Sequence, residues 1–199
     1  MQPEPKLIAF DTSAAHCAAA LLLGDRIITR VDDMAKGQAE HLMPMLEQML
    51  VEAGAGWGDL DAIAVGIGPG NFTGIRISVS AARGLALGLG KPAIGVSGFD
   101  ARAHGAPHPV TAMIPAPRGM GYVQDFAQPG TGSHPALISL TDALFRFPTV
   151  PEKSPDDLIA AIARVAASRI GTDTPRPAPL YVRPADAAPP RDAAPVILP

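Results

Sequence analysis

The prolines of this 199-residue chain are distributed unevenly, and this limits where long helices and strands can form. Residues 1–100 contain five of the 22 prolines, and the other 17 follow residue 100. Because proline lacks a backbone N–H and fixes φ, it interrupts helices and the interiors of sheets. We therefore expect regular structure in an N-terminal subdomain, 1–100, and a shortened, proline-rich second subdomain, 101–199.

The first half predicts strands and helices in the order βββαβαβ. Strands are expected at five apolar segments: 6–10, 17–23, 26–31, 61–67 and 93–96. The turn residues Gly24 and Asp25 join the second and third strands into a hairpin. A leading hairpin followed by two crossover helices is the arrangement of the actin-like ATPase (ASKHA, RNase H-like) α/β fold. It differs from the strict βαβ alternation of dinucleotide-binding folds.

Two helices are expected between these strands. The first ends at Gly54 and has one apolar stripe at helical spacing, formed by Leu42, Met45, Leu46, Met49, Leu50 and Ala53. Pro44 is compatible with this helix in its first turn and would kink it elsewhere. The second helix is expected at 75–89, because Gly90 and Pro92 end it.

The second half predicts fewer and shorter elements. Strands are expected at 110–114 and 122–126, and a helix begins at 154–157, where proline occupies the first helical position. The apolar face of that helix consists of Leu158, Ile159, Ile162, Val165 and Ala166. Together these elements indicate a reduced second copy of the same α/β unit.

Charge and composition exclude several classes of protein. The net charge of -3 and the pI near 5.9 provide no basic surface for direct binding of nucleic acid. Cys17 is the only cysteine, so no intramolecular disulfide can form. The sequence shows neither a signal peptide nor an apolar run long enough to cross a membrane. These features predict a cytoplasmic protein.

Two loops are candidates for a nucleotide site. In nucleotide-binding members of this fold class, an acidic residue after the first strand, here Asp11, holds a metal-bound water, and hydroxyls such as Thr12 approach phosphate. The alternative is a local turn in which these side chains bond their own backbone. The glycine loop, 68–74, has the spacing G-x-G-x-x-x-G, which matches neither a dinucleotide nor a Walker motif. Its alternative role is a tight turn that positions the next helix, and no bound cofactor is expected.

The helix after the glycine loop carries small residues on one face, Ser80, Gly84 and Gly88. Glycine inside a helix costs about 1 kcal/mol relative to alanine, so a packing reason is expected. The neighbour that comes close is either the protein's own sheet or another subunit.

The sequence offers no convincing catalytic or metal-binding set. His104 and His108 have the spacing of a zinc-binding helix, but Gly105 and Pro107 between them break the helical geometry. Cys17 lies within an apolar strand and is interpreted as a small core residue.

Several of these segments resemble the TsaB (YeaZ) family. The segment 66–77 is close to that family's G-x-G-P-G-S-F-T-G-L-R-I signature. Further matches in register are 7–13, 38–44, 85–88, 95–97, 179–184 and 186–187. The chain departs from the family at Gln38, Asn71 and 115–122, and its second half is short.

The resemblance implies a non-catalytic scaffold subunit of the system that makes threonylcarbamoyladenosine in tRNA. Its partners would be a TsaD-like catalytic subunit and a TsaE-like ATPase, with a homodimer when alone and tRNA contacted only indirectly. The resemblance further implies an interface on the two N-terminal helices, formed by Met45, Met49, Phe72, Arg76, Ser80, Arg83, Gly84 and Leu87. The catalytic paralogue has the metal-binding motif H-H-M-x-x-H where this chain has Gly98 and Arg102, which predicts that it is not an enzyme.

Two enzymatic hypotheses remain as alternatives. The first is an independent nucleotide-binding phosphotransferase of the actin-like class, with Asp11 as its metal-water ligand. It requires a second phosphate loop and an adenosine pocket, for which the second half shows no clear candidate. The second is a peptidase, which the missing metal histidines and nucleophile set disfavour.

Overall fold

The computed structural model describes residues 4–141 and 143–182, and its first half has the predicted order of elements. The strands of the first sheet are β1 Lys6–Asp11, β2 His16–Leu23, β3 Arg26–Asp33, β4 Ala62–Gly66 and β5 Ala93–Val96. They lie in the order β3-β2-β1-β4-β5. The first three strands pair antiparallel, and β4 and β5 continue the sheet parallel to β1. This topology confirms the actin-like α/β fold.

Helices α1 (Gln38–Glu52) and α2 (Phe72–Leu89) cover one face of this sheet and bury their apolar stripes against it. Pro44 lies inside α1, beyond its first turn. In the first turn a proline would cost no helical hydrogen bond, but at this position it does. The carbonyl of Glu40 therefore lacks its helical donor. Helix α2 begins three residues earlier than expected and ends at Gly90, whose φ of 64° allows the left-handed C-cap.

The opposite face of the first sheet is covered by a helix from the second half of the chain, α4 (Pro155–Ala167). As expected, the hydroxyl of Ser154 caps this helix by accepting a hydrogen bond from the backbone N–H of Asp157 at 3.1 Å. Ile159 and Ile162 are buried against the sheet. A subdomain boundary near residue 100 stays a prediction, but α4 completes the core of the first sheet and not a separate second unit.

A smaller antiparallel sheet forms the second part of the molecule. Its strands are β6 Val110–Ala116, β7 Met120–Gln128, β8 Thr131–Gly132 and β9 Ala136–Ser139. β7 pairs with each of the other three. The short helix α3 (Gly98–Ala103) packs on this sheet through Phe99, which is fully buried. The sequence did not predict α3, β8, β9 or the 3-10 helix Trp57–Asp59.

No helix within the described residues is both long enough and apolar enough to cross a bilayer.

The packing of α4 predicts the effect of Ile159→Ala. This substitution should lower the free energy of unfolding by about 2–5 kcal/mol, because it leaves a cavity between α4 and the first sheet. Arg164→Ala, on the exposed side of the same helix, should change it by less than about 0.5 kcal/mol. Urea unfolding of the two variants measures the difference. Equal stabilities would contradict the assignment of α4 to this core.

Candidate functional site

The turn after β1 is bonded directly to the start of α2. The hydroxyl of Thr12, which is fully buried, donates to the carbonyl oxygen of Gly74 at 2.6 Å. The backbone N–H of Asn71 donates to the carbonyl oxygen of Ser13 at 2.7 Å. These two bonds join residues about sixty positions apart and fix where α2 begins relative to the sheet.

The glycines of the 68–74 loop permit this close approach. A Cβ on Gly74 would collide with the carbonyl oxygen of Thr12, and one on Gly70 would lie 2.6 Å from the carbonyl oxygen of Ser13. The side chain of Asn71 caps the helix, because its Oδ1 accepts from the N–H of Gly74 at 2.9 Å. The loop therefore has the geometry of a tight strand-to-helix turn, the second of the two roles considered for it.

The carboxylate of Asp11 is hydrogen-bonded within the turn in which Asp11 lies. Its two carboxylate oxygens accept hydrogen bonds from the backbone N–H and the hydroxyl of Ser13, at 3.0 and 2.8 Å. This is the local turn that the sequence left open, and the buried hydroxyl of Thr12 is likewise bonded within the chain. A role for Asp11 and Thr12 in cofactor binding stays a prediction, and no bond of these side chains favours it.

A cleft of about 490 Å³ lies beside the glycine loop, between the two sheets. Asp11 and the loop form one wall, α4 forms another, and Arg102 of α3 lines it from the side of the second sheet. The guanidinium of Arg102 donates to the carbonyl oxygen of Gly98 at 3.3 Å. Burial lowers the pKa of Arg102, while Glu152 and Asp11 act in the opposite direction.

The outer face of α2 is exposed and made of small residues. Ser80, Gly84 and Gly88 are exposed, and Leu87 beside them has 81% of its surface accessible. Beyond its own turn of the helix, no atom of the described chain would lie within 4 Å of a Cβ built on Gly84 or Gly88. The protein's own sheet is therefore not the neighbour that requires these glycines.

The structure corrects the assignment of two predicted interface residues. Met45 and Met49 of α1 are 1% and 3% exposed and pack in the core between α1 and the sheet. Side chains at this depth cannot contact a partner directly. Val51 is the exposed apolar side chain of α1, with 77% of its surface accessible.

Two other predicted interface residues form a cluster with a residue that the sequence did not single out. Phe72 stacks on Tyr181 with ring centroids 5.3 Å apart. The guanidinium carbon of Arg76 lies 3.6 Å from the centroid of the Phe72 ring, and Nε donates to the hydroxyl of Tyr181 at 3.0 Å. This cluster holds the segment before residue 183 against the start of α2. Arg83, the remaining predicted residue, is partly exposed on the same helix. Of the matched segments 179–184 and 186–187, the residues from 183 onward lie outside the described residues.

Among the described residues, no three side chains of His, Cys, Asp or Glu come together in a way that could bind a metal ion. The surface of His104 is largely accessible, but partial burial of its ring lowers its pKa, and the positive charges of Lys153 and Arg164 lower it further.

The sequence matches one family model and several known proteins, and the fold matches a solved structure. The model of the family described as "TsaD: tRNA N6-adenosine threonylcarbamoyltransferase" matches residues 32–175, more than half of the chain. The tRNA threonylcarbamoyladenosine biosynthesis protein TsaB of Haemophilus influenzae is 38% identical over 102 residues, 50% of this chain. TsaB of Escherichia coli is 36% identical over 101 residues, 51% of this chain.

The matched segment is only part of those relatives. It spans 42% of the length of the Haemophilus influenzae protein and 44% of the Escherichia coli protein. The structure of YeaZ from Pseudomonas aeruginosa is similar over 89% of this chain and 99% of that one, with a TM-score of 0.72 and 26% sequence identity. The resemblance thus extends from the N-terminal motifs to the fold.

Alanine should have opposite effects on the free energy of unfolding at an open glycine of α2 and at a closely packed one. Gly84→Ala should raise the free energy of unfolding of the isolated chain by about 0.5–1 kcal/mol, because alanine restricts the unfolded chain and has free space here. Gly74→Ala should lower it by about 1–3 kcal/mol, because its methyl group collides with the backbone of Thr12. Urea unfolding compares the two variants. A loss of stability in Gly84→Ala would show that α2 is closely packed on its outer face within the chain.

Cys17 should resist alkylation. Its side chain is fully buried, and burial raises the pKa of the thiol to about 11, with smaller contributions from Asp32 and Asp11. At pH 8 only about one thiol in a thousand is then ionised. Reaction of the thiol with a chromogenic disulfide should be slow in the native protein. It should be fast in about 6 M guanidinium chloride, which unfolds the chain and exposes Cys17. Fast reaction of the native protein would contradict the core assignment.

Proposed function

The chain belongs to the family of TsaD, the tRNA N6-adenosine threonylcarbamoyltransferase, and resembles TsaB (YeaZ) within it; we propose that it is a non-catalytic scaffold subunit that binds and activates a TsaD-like catalytic subunit. The catalytic subunit would transfer the threonylcarbamoyl group to adenosine in tRNA. The acidic net charge of this chain leaves contact with tRNA to its partners.

The observation that carries the proposal is the unused space over Gly84 and Gly88. Each glycine costs about 1 kcal/mol relative to alanine within a helix, and nothing in the described part of the chain approaches either position. A helix of another subunit can lie close to α2 only where such side chains are missing. The exposed side chain of Leu87 would then be covered by the partner.

The neighbouring helix extends the proposed surface. Val51 of α1 is exposed like Leu87 of α2, and both helices pack on the same face of the first sheet. Beneath them, Met45 and Met49 form part of the core that holds the helix pair. A pair of helices from the partner, packed against α1 and α2, would bury both apolar side chains.

Three features support a non-catalytic role. The resemblance places Gly98 and Arg102 where the catalytic paralogue has metal-binding histidines, and neither residue supplies a metal ligand of that kind. Cys17 is buried and un-ionised near neutral pH, which disfavours a peptidase that uses it as nucleophile. The carboxylate of Asp11 is bonded within its own turn, which gives the phosphotransferase alternative no specific support.

Light scattering coupled to size-exclusion chromatography tests the proposed interface. The chain mixed with a TsaD-like subunit from the same organism should elute as a complex, and Gly84→Arg should abolish it by filling the space over α2. Thr131→Arg, at an exposed position of the second sheet, is the control and should leave the complex intact. A complex that survives Gly84→Arg would place the interface elsewhere.

A reconstituted transfer assay tests the absence of catalysis. With threonylcarbamoyl-adenylate and unmodified tRNA, the isolated chain should give no modified adenosine by mass spectrometry. The TsaD-like subunit should gain activity when the chain is added. Transfer by the chain alone would overturn the scaffold assignment.

A further inference from the structure

The cleft between the two sheets contains a partly buried cation in largely apolar surroundings. Leu158, Ile159 and Ile162 of α4 line it on one side, and Ile114 of β6 lines it near α3. Arg102 projects from α3 at the same cavity. A volume of about 490 Å³ is within the range of sites for small molecules.

Arg102 has no carboxylate partner among the described residues. The ion pairs found there involve Asp32 and Asp100 and do not include Arg102, so no carboxylate oxygen of the described residues lies within 4.0 Å of its guanidinium nitrogens. Within the described part of the chain, its side chain makes one hydrogen bond, at 3.3 Å to the carbonyl oxygen of Gly98. A guanidinium has five N–H donors, and buried charges in proteins are ordinarily paired.

The same walls disfavour a polyphosphate. Asp11 lines the cleft and adds a negative charge, and its oxygens already accept bonds from Ser13. Of the described residues that line this cavity, Arg102 is the single lysine or arginine. The single guanidinium can pair with one carboxylate group, whereas a ligand with several negative charges would place unpaired charges beside Asp11.

We propose that this cleft binds a small organic carboxylate with a branched apolar body. The carboxylate accepts two parallel hydrogen bonds from the guanidinium of Arg102, the geometry that arginine and carboxylate adopt together. The apolar body lies against the α4 wall, chiefly against Leu158, which is only partly buried there. This site is separate from the α2 surface and does not depend on the proposed scaffold function.

Isothermal titration of the full chain with 4-methylvalerate, against its neutral analogue 4-methylvaleramide, tests the proposal. The carboxylate should bind and the amide should bind at least about tenfold more weakly, because only the carboxylate pairs with Arg102. Arg102→Met, which keeps the length and apolar stem of the side chain, should weaken binding of the carboxylate by about tenfold or more. Arg26→Met, at an exposed arginine outside the cleft, should leave it unchanged.

Two further measurements separate the proposal from its alternatives. Arg102→Met should be at least as stable to heat as the natural chain without ligand, because it removes a partly buried cation that no carboxylate of the described chain pairs with. A clear fall in its melting temperature would instead make Arg102 a structural residue and overturn the proposal. Equal binding of acid and amide, no binding of either, or tighter Arg102-dependent binding of AMP with Mg²⁺ would also overturn it.

Discussion

Helix α2 can start against the end of β1 only because Gly74 has no side chain. At this point the backbone of Thr12 occupies the space that a Cβ would need, and the buried hydroxyl of Thr12 bonds the carbonyl of Gly74. The contact fixes the position of α2 on the sheet. It also places the glycine loop where it forms one wall of the cleft, next to the turn at 11–13. The directions of both faces of α2 and the position of the glycine-loop wall therefore depend on this contact.

The two faces of α2 follow from that placement. The inner face is closely packed, and its glycine is required by atoms of the same chain. The outer face has glycines at Gly84 and Gly88 that no atom of the described chain requires, next to Leu87, which is largely exposed. These glycines lower the stability of the isolated helix without a reason inside the described chain, which is the basis for proposing a neighbour outside it.

Sequence periodicity predicted the hairpin, the strands of the first sheet and the helices, because these elements bury continuous apolar stripes. It could not reveal α3, a helix of six residues, or β8 and β9, which are too short for a periodic signal. The stripe of α1 already marked Met45 and Met49 as core positions, so their assignment to an interface conflicted with the sequence itself. The contact of Phe72 with Tyr181 joins residues far apart in the chain, which only the fold brings together.

The most direct test of the account places a photo-crosslinking benzoylphenylalanine at position 87. Leu87 is 81% exposed on the outer face of α2, and Leu144, at 98%, is the matched control outside that helix. Irradiation in the presence of a TsaD-like subunit should join the two chains covalently from position 87 and not from position 144. Crosslinking from position 144 alone, or from neither position while a complex forms, would contradict the claim that α2 is the surface the partner covers.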